Sequence, residues 1–148
     1  METPGPLGPE ALRPALVANC GDGPGTAILL ATGSEVYLAL AARDELEAGG
    51  ISARVVSMPC WELFDRQPRE YQDAVLPRAV PARVAIEQAS TLGWDRYVGD
   101  GGAVIGMHTF GASAPLKQLL TKFGFTPERV AEVTRERVAA GRTGRKGA

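Results

Sequence analysis

Between Thr26 and Thr32 the chain reads TAILLAT, and this run limits the fold more than any other stretch. Its consecutive apolar residues leave no polar face. Such a strand has to be covered on both sides, as an inner strand of a parallel sheet is. Thr32-Gly33-Ser34-Glu35 follows with the marks of a helix start. A hydroxyl stands at the cap and a carboxylate in the first turn, where the helix dipole favours negative charge. Glu35 to Ala48 is rich in the strong helix formers Ala, Leu and Glu. Val36, Ala39, Leu40 and Leu46 can share one face, and Gly49-Gly50 ends the helix.

The same alternation continues. Ala53–Met58 reads as a strand stopped by Pro59, Asp65 to Val75 as a helix, and Ala82–Ile86 as a strand ending at Glu87. A short helix separates it from a strand at Gly102–Met107. Ala114–Phe123 and Pro127–Ala140 read as helices, the second with Thr126 as N-cap and Pro127 at its first position. Upstream, Ala15–Cys20 is a short apolar run joined to the TAILLAT strand by the turn-like Gly21–Gly25. Two strands so close in sequence favour an antiparallel hairpin, because a parallel crossover needs about a dozen residues. The expectation is an α/β domain with three α/β/α layers and a five-stranded mixed sheet whose first strand is antiparallel. The domain is expected over 11–140, with a flexible segment at 1–10 and a flexible basic tail at 141–148.

Composition fits that picture and narrows the function. The chain has 148 residues, room for one domain of ordinary size. Hydrophobic residues make up 45% and charged residues 22%, and sixteen basic against seventeen acidic residues leave a net charge of -1. This gives no general electrostatic case for nucleic acid or an anionic membrane. No apolar run approaches the roughly 20 residues that span a bilayer. Two cysteines and one histidine nearly exclude a zinc site of the usual kind. A start without the layout of a signal peptide points to the cytoplasm and to free thiols.

Ligands of such sheets gather beyond the carboxyl ends of the parallel strands. The residues expected there include Thr32, Gly33, Ser34, Glu87 and Ser113. A polar edge with helix N-termini suits an anion, although capping alone accounts for Ser34 and Ser113. His108 and Cys60 read as structural rather than reactive, since Cys60 has Glu62 and Asp65 as its nearby charges. Gly21-Asp22-Gly23 and Asp100-Gly101-Gly102 are weak phosphate or metal signals, because the same residues make turns. No complete catalytic apparatus emerges.

Seven strings carry a resemblance: ATGSE at Ala31–Glu35, ARVVSMP at Ala53–Pro59, FDRQ at Phe64–Gln67, YQDAVLP at Tyr71–Pro77, ARVAIE at Ala82–Glu87, WDRYVG at Trp94–Gly99 and IGMHTFGASAP at Ile105–Pro115. In order and spacing, over about Ala27 to Val138, they resemble the C-terminal third of transketolase. The FGxSxP-type string favours that family over related thiamine enzymes, such as deoxyxylulose-phosphate synthases. The resemblance implies a homodimeric enzyme of the pentose phosphate pathway. It would move two-carbon ketol units between sugar phosphates with thiamine diphosphate and Mg2+. The family's cofactor motif is Gly-Asp-Gly followed by an Asn, and here the only asparagine, Asn19, precedes both Gly-Asp-Gly strings. The expectation is therefore no catalytic, cofactor-binding or metal residue in this chain. Its role would be structural and interfacial, against an N-terminal, cofactor-binding subunit or domains. Trp61, Trp94, Tyr97 and Phe110 are the aromatic candidates for that interface, with ordinary core packing as the rival reading. The alternative function is a stand-alone anion- or nucleotide-binding regulatory module built on the strand-end edge.

Overall fold

The computed structural model describes residues 16–18, 25–106, 116–122 and 124–145. Its strands are β1 (Leu16–Ala18), β2 (Ala27–Ala31), β3 (Ala53–Ser57), β4 (Arg83–Glu87) and β5 (Ala103–Gly106). The helices are α1 (Glu35–Ala48), α2 (Trp61–Asp65), α3 (Arg69–Val75), α4 (Asp95–Val98), α5 (Leu116–Lys122) and α6 (Pro127–Arg145). Strand order is β1-β3-β2-β4-β5, and β3, β2, β4 and β5 are mutually parallel.

The body of the sheet is thus its four parallel strands, and the opening hairpin expected from the sequence is absent. The antiparallel strand is reduced to three residues at the edge, and it makes no hairpin with β2. β1 instead pairs with β3, Leu16 opposite Ser57. Both edges of β2 are already taken by parallel neighbours, so β1 can only add outside β3.

Every residue of β2 is fully buried. Because side chains alternate across a strand, Ala27, Leu29 and Ala31 enter one core while Ile28 and Leu30 enter the other. The first core is roofed by α1 and α6, with Ala39, Leu46, Val130 and Ala131 buried in it. The second lies under α2, α3 and α4 and holds Phe64, Val75, Trp94 and Tyr97.

Helix ends and caps differ from the sequence expectation in places. The helix expected at Asp65–Val75 begins only at Arg69, as α3, since Pro68 disfavours helical backbone at Gln67 and stands as its cap, while the separate α2 ends at Asp65. Ser34 makes no capping bond; its hydroxyl donates to Glu35 Oε1 at 3.3 Å. By contrast, Thr126 Oγ1 accepts from Arg129 N at 3.2 Å, a true cap. α6 runs to Arg145, past the Ala140 end expected for it. Thr143 Oγ1 donates to Ala139 and Ala140 carbonyls along that last stretch.

Candidate functional site

β3 and β4 leave the central β2 on opposite sides, so the sheet's switch point lies at the carboxyl ends of β2 and β4. That is where a doubly wound sheet opens a ligand crevice. Thr32 and Glu87 occupy it here. The Glu87 carboxylate accepts from Ala89 N at 2.8 Å, from Trp94 Nε1 at 3.3 Å and from Thr32 Oγ1 at 3.5 Å. Gly33 and Ser34 are exposed beside it, Gly33 with φ +56°. Glu35 is buried at the start of α1. Thr32, Gly33, Ser34 and Glu87 do come together, but around two carboxylates, one of them consumed by internal donors. This edge offers an incoming anion repulsion and few unused donors. Ser113 lies outside the described residues, as do Phe110, His108, Cys20 and Gly21-Asp22-Gly23.

Below the crevice the aromatic rings form one cluster. Trp61 meets Trp94 edge-on at 4.8 Å and Tyr97 at 5.3 Å, and Phe64 meets Tyr97 at 5.9 Å. Trp94 is wholly buried and Tyr97 nearly so, which makes them core of this chain rather than surface. Trp61 is half-buried and lies over Gly93, where a Cβ would sit 2.9 Å from its ring. The Tyr97 hydroxyl donates to Asp65 Oδ1 at 2.9 Å. Burial, and then that bond to Asp65, push the phenol's pKa well above its ordinary range. Arg96 stacks on Trp61 and Tyr97 at 5.3 and 4.8 Å and reaches Asp65 Oδ2 at 3.3 Å.

The other chemical candidates are absorbed locally. The Cys60 thiol donates to Glu62 Oε2 at 3.5 Å. A backbone hydrogen bond and then the Cys60 contact lower the Glu62 pKa. Asp100-Gly101-Gly102 is the turn into β5. A Cβ on Gly102 would fall 2.6 Å from Val98 and 2.7 Å from the Arg83 carbonyl, so close packing explains this glycine. Among the described residues no three of His, Cys, Asp and Glu converge as the ligands of a metal. These residues do not fit a diphosphate-bound cation. Sequence reasoning missed Tyr37 and Leu92, the large apolar side chains left exposed among the described residues. They flank the same strand ends, Tyr37 in the first turn of α1 and Leu92 in the loop after β4. A lone exposed hydrophobe carries no sequence signal; only the fold sets the two on one edge.

Fold and edge define a doubly wound α/β domain in which Glu87, at the described strand ends, is taken up by internal donors. The chain belongs to the transketolase family as a C-terminal domain: the family model described as "Transketolase-like TK C-terminal domain" matches residues 16–126. It is 47% identical over 120 residues to the transketolase of Geobacillus stearothermophilus, covering 81% of this chain and 18% of that one. A solved transketolase from Leishmania mexicana superposes with TM-score 0.77 at 44% identity, over 86% of this chain and 18% of the other. A "Split gene transketolase, inactive beta4 tetramer" superposes with TM-score 0.65 at 26% identity, covering 86% of this chain and 43% of that one. The chain therefore spans less than a fifth of the Geobacillus and Leishmania relatives. No described helix is long and apolar enough to cross a membrane.

Proposed function

We propose that this chain is the C-terminal section of a cytoplasmic, thiamine-diphosphate-dependent transketolase. It packs on the cofactor-bearing subunit or domains of a dimeric assembly and takes no direct part in ketol transfer. The carrying observation is the match itself, continuous along this chain yet confined to 18% of the Geobacillus relative. The cofactor, when bound to the complete enzyme, supplies the electron sink for carbon–carbon cleavage. The described residues contribute no donor set for its metal, so in this reading the diphosphate and cation belong to the other domains. Exposed Tyr37 and Leu92 at the strand-end edge, with half-buried Trp61 nearby, supply apolar area of the kind an interface covers. The split-gene relative supports a partner encoded separately.

Mixing settles the matter. The purified chain is combined with the complementary section of a transketolase, thiamine diphosphate, magnesium and sugar phosphates. Ketol transfer is expected in the mixture and absent from either part. Activity of this chain alone, or failure of the two sections to associate, overturns the reading.

A further inference from the structure

A groove of about 380 Å³ runs between α3 and α4, apart from the strand-end edge. That volume suits a small molecule. Arg69, Arg78, Arg83 and Arg96 line it, against the carboxylates of Asp65 and Asp73. Four positive charges less two negative leave a local charge of +2, in a chain whose net charge is -1. The ion pairs along its α3 wall are loose. Arg69 and Arg78 each bring Nε to the same Asp73 Oδ1, both at 3.5 Å. Their terminal nitrogens take no other partner among the described residues. Arg83 is held differently. Its guanidinium donates to the carbonyls of Val80, Tyr97, Leu76 and Pro77 at 2.9–3.1 Å. Asp73 acts on it only at longer range, and it makes no ion pair among the described residues. It is a half-buried cation fixed by backbone dipoles, with Arg96 clamped on its rings beside it.

We propose that this groove is a binding site for a small anion carrying two or more phosphate charges. Such a ligand would take the free ends of Arg69 and Arg78 on one side and the fixed charges of Arg83 and Arg96 on the other. Guanidinium forks match phosphate oxygens two at a time, whereas Arg69 and Arg78 have only one carboxylate oxygen of Asp73 between them. The inference does not rest on the interfacial reading, although Arg96 joins the groove to Trp61, on which it stacks at 5.3 Å.

Titration calorimetry of the full chain with pyrophosphate tests it, with inorganic phosphate for comparison. Pyrophosphate is expected to bind at least about tenfold more tightly than phosphate, and more weakly as sodium chloride is raised. Arg69→Gln with Arg78→Gln changes two exposed side chains. The double variant is expected to weaken binding about tenfold or more at an unchanged thermal midpoint. Asp73→Asn, which removes the competing carboxylate, is expected to tighten it. Absence of binding, equal affinity for the two anions, or a folded double variant that binds like the parent would each overturn the site. If the double variant does not fold, the single variants carry the same comparison.

Discussion

Glu87 is the side chain on which the strand-end edge closes. Its two oxygens serve a backbone amide and a buried indole, while Thr32 approaches only at 3.5 Å, the outer limit of a hydrogen bond. The contributions should therefore be unequal. Glu87→Gln keeps the shape but replaces a charged acceptor with a neutral one, and is expected to cost about 1–2 kcal/mol. Thr32→Val should stay within about 0.5 kcal/mol. The shift of the urea midpoint at constant slope measures both; equal losses would show that Thr32 matters as much as Trp94. Tyr97 gives a pH prediction. Burial and Asp65 favour its neutral form, so the folded chain holds the phenol proton to higher pH than the unfolded chain does. Its contribution is complete below the ordinary phenol value of 10.0 and is lost as pH rises above it. Stability should begin to fall as pH passes 10.0 and go on falling until the raised folded-state value is reached, and Tyr97→Phe should flatten that part of the curve. A variant curve parallel to the parent's would refute the assignment. Trp94 and Tyr97 show what a sequence can tell about such residues. Their apolar bulk was legible, whereas inside or outside depends on the rings from α2 and α4 that meet them.

Helix α3 has seven residues, too few to stand without tertiary support. Its C-terminal carbonyls are covered by two arginines from the strands beneath. Arg54 donates to Ala74 and Val75, and Arg83 to Leu76 and Pro77. Neither strand reads as a place for a buried cation, and an arginine between apolar neighbours looks like a surface residue in a sequence. Only the return of α3 over the sheet gives it a purpose. Arg83→Met should cost about 2–4 kcal/mol by stranding several carbonyls. Arg83→Lys should recover less than half of that, because one ammonium cannot replace a fork that spans them. Full rescue by lysine would mean that charge matters and geometry does not. Helix α6 makes the opposite case. Gly141 lies within it, and a Cβ there would meet Pro81 Cγ at an ordinary 3.8 Å. Gly141→Ala is expected to raise stability by about 0.5–1 kcal/mol, read as a higher thermal midpoint. A lower midpoint would show that the last turns of α6 are not helical in solution. Gly141 and Gly144 are also why the sequence points to a tail there. A glycine costs a helix about 1 kcal/mol, and composition alone does not reveal that Gly141 lies beside Pro81.

At the scale of the whole molecule, the local periods were readable and the long-range pairings were not. TAILLAT announced a strand covered on both faces, and both faces of β2 are buried. That β1 adds to β3 rather than β2 depends on which edge remains open once the parallel crossovers are made, and nothing local encodes that. The same geometry makes β2 the link between two cores that share no helix. Leu29 faces α1 and α6, while its neighbour Leu30 faces α2–α4, where both tryptophans sit. Leu29→Ala and Leu30→Ala should each cost about 2–5 kcal/mol as a buried cavity opens. The informative variant is Leu29→Ala, because it damages the side of the sheet without a tryptophan. If the four parallel strands unfold as one body, urea transitions followed by tryptophan fluorescence and by far-ultraviolet circular dichroism should fall together, by the same amount. If the layers are separable, fluorescence should keep the parent midpoint while the dichroism of α1 and α6 is lost earlier. Coincidence is the expected result: a strand with no exposed face cannot lose its cover on one side and keep its hydrogen-bonded place between β3 and β4.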